Sequence, residues 1–492
     1  MDNHTPKVVF KTTDTFADQI RSGLLVAAYE WAQRTGWFQA LAQQVKIKMK
    51  TVTYTPLQKL QTLWASLLVG CQHTVEINEK LGADQPAAAA LFGLERFPDQ
   101  SQVNILLRRL TEENVQQLRE VHFQTLIENT RGKDRQHWVR LANRQRLLVI
   151  DLDQMGLTVS GKQFERAQPG HFGRKRGRRG YKQSAVFLGG TVQEVLDQYL
   201  DAGDEHAKRR FADLVAGITR YITALGWRPA QVLIRGDAQY GTVANVAHLD
   251  RLGYKYLFKG YHTGRAQKLA AQVPPQTIYY RVADDAERHP RWVADAGVHT
   301  LVEKYPSDPA AAEKAEARVR VFILAHTKEQ TVRSSRYKGS RKDHPVRREV
   351  VLAHRLTNLT RQQVDEALAL TLYDGRATSE NYFKDEQYGR LMKSLRTRAF
   401  AGIAGGFWLA VMVFNQLTWL RQTTLAGTEL AKLGVRKLIH SVMQVPARVV
   451  RTAQKITVYL PEHNYIARLL LKGRRRRPPR TTAAVVLAVT RG

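Results

Sequence analysis

The sequence predicts an α/β protein: a strand layer flanked by helical N-terminal and C-terminal regions. Three observations carry that expectation. Two apolar runs, Leu147–Asp153 and Gln231–Asp237, have the length and β-branched content of buried strands, and both end on aspartate. Helical patterns at Asp204–Leu225 and Ala244–Leu252 alternate with the strands, which is the rhythm of a layered sheet. The chain has 492 residues, too many for one compact core, and its 43% hydrophobic content can fill several.

The elements follow in order. Residues 1–140 read as a helical DNA-binding domain. Asp18–Thr35 puts Ile20, Leu24, Leu25, Ala28 and Trp31 on one stripe, Leu57–Val69 repeats the pattern, and Asp84–Leu94 is alanine-rich. Asp99 or Ser101 is placed to cap a basic helix, Ile105–Leu110, that contains Arg108 and Arg109. Short helices with tight turns fit a helix-turn-helix reader or an ordinary bundle, and the residues alone lean to the bundle. Residues 141–264 hold the strand layer, with further strands at Ser184–Leu188 and Tyr254–Phe258. Residues 265–355 break the rhythm with β-like runs at Thr277–Val282, His299–Val302, Val319–Ala325 and Glu349–His354. They read as a β-rich insertion, with the polar stretch Lys328–Arg348 as a mobile loop. Residues 356–420 return to helix at Asp365–Leu372, Arg376–Leu395 and Ala399–Leu420. Residues 421–492 read as helical with a basic tail, Arg474–Arg480.

Lysine and arginine number 76 against 44 acidic residues, a net charge of +32, and such a field attracts nucleic acid above all. The single cysteine, Cys71, excludes a disulfide scaffold, a cysteine-rich zinc site and an iron–sulfur cluster, and suits a reducing compartment. The N-terminus has no apolar signal core. The most apolar run, Ala399–Phe414, falls short of a membrane span of roughly 20 residues and reads as a buried core helix. A cytoplasmic protein with no membrane partner is the expectation.

The chemistry lies with carboxylates. Asp151 and Asp153 are two apart on one strand face, and Asp237 ends a second strand. Clustered carboxylates repel unless a cation sits between them, and Mg²⁺ takes oxygen ligands. In Tyr373–Lys384, the residues Tyr373, Arg376, Glu380 and Lys384 are spaced 3, 4 and 4, one face of a helix. Glu380 can complete a metal site, Arg376 and Lys384 can hold DNA phosphates, and Tyr373 can bond a phosphate or stack on a base. By itself this spacing is better explained as a surface ladder of ion pairs. A second basic element, His171–Lys182, offers Arg174, Lys175, Arg176, Arg178, Arg179 and Lys182 to a phosphate backbone, and Lys255, Lys259 and Arg265 extend the track. No Walker loop, His-Glu-x-x-His or Gly-x-Ser-x-Gly element is present.

Together these pieces resemble the DDE transposases of bacterial insertion sequences, which have an RNase H-like core. Tyr373, Arg376 and Glu380 keep the spacing of the Tyr-Arg-Glu-Lys signature of one large group. Gln387 stands where that signature has lysine, and Lys384, one turn earlier, is the candidate substitute. Leu233–Asp237 with Tyr240 is similar to the second-aspartate strand, and the 143 residues between Asp237 and Glu380 match a β-rich insertion. Asp151 directly ends its apolar run, the common family form. Asp153 fits an Asp-x-Asp variant, with Gly161 downstream. Asp151 is preferred and both stay candidates.

The resemblance implies that Asp151 or Asp153, with Asp237 and Glu380, holds two Mg²⁺ ions, Mn²⁺ being able to substitute. It implies cleavage at the element ends and attack of the freed 3′-hydroxyl on target DNA. Its partners would be double-stranded DNA and a second copy of the chain, a homodimer in the synaptic complex, working on the bacterial nucleoid. Two other readings remain: a structure-selective nuclease on the same core, and a domesticated DNA-binding protein without catalysis.

Overall fold

A computed structural model describes residues 7–13, 19–50, 53–82, 86–173, 177–273, 280–282, 291–303, 315–331, 346–377, 382–383, 397–452, 455–475 and 486–488. The chain opens on strands β1 (Lys7–Thr13) and β2 (Gln19–Ile20). Helices α1 (Leu24–Arg34), α2 (Trp37–Gln44), α3 (Pro56–Leu68), α4 (Glu76–Lys80), α5 (Pro86–Leu91), α6 (Gln100–Arg109) and α7 (Glu112–Asn129) follow. Side-chain caps fix several starts. Thr55 and Gln58 form a capping box around Pro56 at α3, and Thr111 and Asn114 form another at α7. Asp99 accepts from the Ser101 and Gln102 amides at α6, so of the two candidate caps it is the aspartate.

The strand layer comes next: β3 (Val139–Arg140), β4 (Arg146–Thr158), β5 (Gln168–Pro169), β6 (Arg179–Leu188) and β7 (Val195–Ala202). Helix α8 (Phe211–Ala224), β8 (Val232–Gly236), α9 (Val243–Leu252), β9 (Lys255–Lys259) and α10 (Thr263–Ala271) complete it. The strand order is β7-β6-β4-β8-β9. The first three are antiparallel, and β8 and β9 run parallel to β4. This is the RNase H-like α/β order that the resemblance implies. Sequence reading missed β7, whose run Val195–Ala202 mixes polar residues into a strand that carries its own buried ion pairs.

The insertion holds β10 (Tyr280–Val282), β11 (Arg291–Glu303), β12 (Ala315–Thr331) and β13 (Val346–Thr357), paired antiparallel in that order. Strand β13 then pairs with β9, Arg355 opposite Lys259. The insertion therefore prolongs the core sheet, which counts eleven strands among the described residues. The short runs legible in the sequence are the apolar middles of long strands. The stretch from Lys328 that reads as a loop supplies Lys328–Thr331 and Val346–Arg348 to the β12–β13 ladder, because backbone pairing extends a strand past its apolar residues.

Helix α11 (Glu366–Asp374) is capped by Asp365 and ends in a 3₁₀ turn, Gly375–Ala377. Helix α12 (Phe400–Thr423) is long and apolar enough to cross a membrane, yet every residue of its apolar window is buried by protein. It packs on α3, α6 and α7 and on β7. Several of its polar groups are matched. Asn415 exchanges two 2.9 Å hydrogen bonds with the Val195 backbone, and Gln416 accepts from Trp64 Nε1 at 2.6 Å. Trp419 Nε1 donates to Glu194 at 2.9 Å. The same carboxylate accepts from Thr130 Oγ1 at 2.6 Å and from the Arg131 amide at 2.8 Å.

Beyond α12 the chain forms β14 (Ala447–Arg451), β15 (Lys455–Pro461), α13 (Tyr465–Arg475) and β16 (Val486–Ala488). The C-terminal region thus contains strands as well as helix. Ile456, Val458 and Leu460 are buried in alternation, a period-2 pattern too short to stand out. Strand β1 lies parallel between β15 and β16, tying the two ends of the chain into one five-stranded sheet. The N-terminal helices, α12 and these strands share one apolar core.

A candidate carboxylate site at the ends of two parallel strands

Side-chain alternation sorts the central strands. Leu148, Ile150 and Leu152 of β4, with Val232 and Ile234 of β8, fill the core under α8 and α9. Val149 and Leu233 point the other way, into the core under α11, and Asp151, Asp153, Arg235 and Asp237 share their phase. The parallel register sets Asp151 beside Arg235 and Leu152 beside Gly236.

Asp151 is fully buried and held by Arg235 in a two-pronged ion pair, Nε to Oδ1 at 2.6 Å and Nη2 to Oδ2 at 2.7 Å. Arg235 Nη1 donates to the Leu372 carbonyl at the end of α11. Two glycines leave room for the pair: a Cβ on Gly189 would sit 2.7 Å from Asp151 Oδ2, and one on Gly375 2.9 Å from Arg235 Nη1. Asp151 is thus neutralised, closed from water, and used to join β4, β8 and α11.

Asp153 and Asp237 come one residue after Leu152 and Gly236, the last positions paired between β4 and β8; β8 ends there, while β4 runs on to Thr158 with Asp153 opposite Ala185 of β6. Both are half-buried. Asp237 Oδ1 accepts from the Gln239 amide at 2.9 Å and Asp153 Oδ1 from the Gln154 amide at 2.9 Å. Arg376, on the 3₁₀ turn after α11, reaches Asp153 Oδ2 with Nη1 at 3.2 Å. Tyr240 is buried beneath them. Burial first, then the charges of Asp153 and Asp237, raise its phenol well above its ordinary pKa, so the fields of both carboxylates meet there.

The expected partners fare differently. Arg376, read from the sequence as a phosphate ligand, is engaged with Asp153. Tyr373 is only 8% exposed, and the Arg355 guanidinium lies 3.9 Å from its ring centroid, so that face is not open to a base. Arg178 is exposed. Arg179 begins β6, and Lys182 donates to the His171 carbonyl at 2.6 Å with its ammonium 4.9 Å from the Phe172 ring centroid. That ring anchors the basic loop on bare backbone: a Cβ on Gly156 would come within 2.3 Å of it, and one on Gly180 or Gly203 within 2.9 Å. Glu380, Lys384, Arg174, Lys175 and Arg176 lie outside the described residues. Close by Glu380 in sequence, Tyr382 and Phe383 are buried with ring centroids 5.0 and 5.1 Å from Phe187, the residue of β6 that pairs with Asp151.

Sequence reasoning missed Arg235 and Arg355. Arg235 carried a signal: a charge inside Leu233–Asp237 must be paired once that strand is buried. The donors at hand, carboxylate oxygens, are the kind that hard divalent cations take. Among the described residues no three acidic, histidine or cysteine side chains gather closely enough to hold an ion. The described donor set is therefore the pair Asp153 and Asp237.

A family model described as transposase DDE domain, group 1, matches residues 21–476, which covers the chain from α1 through α13. No curated protein matches the chain.

Proposed function

The chain belongs to the transposase DDE domain family, group 1, and from that premise we propose that it binds the ends of a bacterial insertion sequence, cuts them and joins them to target DNA. The observation that carries the reading is the placement of Asp153 and Asp237 on adjacent parallel strands and on one face, just past the point where the β4–β8 pairing ends. Asp153, not Asp151, is then the first of the three acidic residues. Glu380 is the third; in the sequence it stands two residues before Tyr382, whose ring packs on Phe187 of β6.

These carboxylates would hold two Mg²⁺ ions, or Mn²⁺. Bound there, such ions polarise a phosphodiester and lower the pKa of a water that attacks it. The protein's own part is positional. The Asp151–Arg235 pair fixes the two strand ends in register. Arg376 holds Asp153 Oδ2 with Nη1 and so aims the carboxylate. Water adds to phosphorus as the bond to the 3′-oxygen breaks, and the freed 3′-hydroxyl repeats the displacement on target DNA. Two element ends call for two copies of the chain, hence a homodimer on double-stranded DNA in the bacterial cytoplasm.

The test is cleavage and joining of duplex DNA carrying the element's own ends in Mg²⁺. Wild type is expected to cut and join. Asp237→Asn and Glu380→Gln are expected to bind DNA and lose roughly 10²-fold or more in cutting. Wild type that cuts without joining is a nuclease, and wild type that binds without cutting is a DNA-binding protein; either result displaces the reading.

A further inference from the structure

Four adjacent strands set four side chains in a row on the α11 face: Asp153 at β4, Asp237 after β8, Lys259 on β9 and Arg355 on β13. Neighbouring strands lie about 5 Å apart, so Lys259 stands one strand from Asp237 and Arg355 two. The row runs from two anions to two cations.

Neither cation makes an ion pair with a carboxylate among the described residues; the carboxylate charges acting on them are Asp237 on Lys259 and Asp374 on Arg355. Lys259 is exposed, and its ammonium makes no ion pair among the described residues. Arg355 is only 5% exposed. Its Nη1 donates to the His354 carbonyl at 3.3 Å, and among the described residues its Nε has no partner and no carboxylate pairs with it. Burial lowers its pKa; Tyr373 and Asp374 counter that, while Arg376 and Arg291 add to it. The adjacent His354 is pushed down to about 4 by burial and the cations around it, so it is neutral at pH 7 and compensates nothing. A guanidinium out of water without an anion is costly to keep, and folds seldom retain one without a use.

We propose that Lys259 and Arg355 form a second anion site, which receives the backbone phosphate next to the one cut at Asp153 and Asp237. The identity of that anion as a DNA phosphate rests on the reading given above. Lys259 makes the contact at the surface with its three donors. Arg355 stands behind it as a fixed positive charge. It is also a positioning residue, because Tyr373 lies between it and Arg376, whose Cζ is 5.8 Å from the ring centroid. The site therefore couples the seating of a neighbouring phosphate to the arm that holds Asp153.

The experiment is the salt dependence of duplex binding by the full chain, without divalent cation, followed by fluorescence anisotropy. Each phosphate contact contributes about 0.9 to the slope of log affinity against log salt. Lys259→Gln is expected to lower the slope by about that amount, and Lys259→Arg to restore it. Arg355→Gln is expected to weaken binding at low salt. Should Arg355→Gln fail to show a cooperative thermal transition, Lys259→Gln decides alone, since its side chain is exposed. An unchanged slope in Lys259→Gln overturns the site. The readout involves no cleavage, so it stands apart from the carboxylate reading: Asp237→Asn that still cuts would sink that reading and leave the slope result intact.

Discussion

Asp151 carries its charge into a place closed to water because Arg235 meets it with two hydrogen bonds and Gly189 leaves the space. Breaking such a pair from one side leaves a buried cation alone, which costs about 3–5 kcal/mol. Asp151→Asn is therefore expected to lose that much stability in denaturant titration. Asp153→Asn, half-buried, is expected to lose less than about 1.5 kcal/mol. Equal losses would show that the two aspartates do the same job. The sequence could present both as candidates, since they share a strand face. It leaned to Asp151, because the partner that claims Asp151, Arg235, lies 84 residues away and is brought in only by the β4–β8 register. Asp237 stood out in the sequence because it closes an apolar run, and the structure sets it one residue past the end of β8. Arg355 was not legible, since its environment is made by α11 and β9, far from it in sequence.

Single elements reveal how function was attached to the sheet. Phe172 rests where three glycines of neighbouring segments expose bare backbone, and the basic loop hangs from that ring. A side chain on Gly156 would occupy the ring's place. Gly156→Val is expected to free the loop base while leaving the core strands paired, and to speed tryptic cleavage at Arg178 and Arg179 about tenfold, the equivalent of 1.4 kcal/mol. Cleavage at the wild-type rate would mean that the ring is not the anchor. Helices were readable wherever a stripe and a cap coincide, as in α6 with Asp99. Strands were readable only over their apolar stretches, so β12 and β13 looked like short runs and β7 was lost among its aspartates and glutamine.

At the scale of the whole molecule, Glu194 is where separate regions meet: Thr130 and Arg131 after α7, Trp419 of α12, and through Thr130 the hydroxyl of Tyr221 on α8. Burial pushes this carboxyl up to about 7 from an ordinary 4.5, against the pull of its hydrogen bonds. Between those values the folded chain binds the proton more tightly than the unfolded one. The stability it contributes is thus fully present below about 4.5 and is lost as pH rises through about 7. His122, pushed down to about 4 by burial, runs the other way, its contribution lost as pH falls from 6.5 through 4. The difference between wild type and Glu194→Gln isolates the carboxyl. It is expected to shrink by of order 3 kcal/mol between pH 5 and 8 in denaturant midpoints, and a flat difference would place the proton elsewhere.

The ladder between β9 and β13 has a consequence for how such chains can be recombined. The arm from β10 to β13 is not a cassette plugged into a finished core, because its last strand also pairs with β9, next to the strand that leads to Asp237. A chimera joined at the ends of the insertion would splice one parent's Lys259 to another parent's Arg355 and break their shared register. The arm is therefore tied to the core at its root, and a workable seam for such a chimera lies out along β11 and β12, beyond the residues of β13 that touch β9.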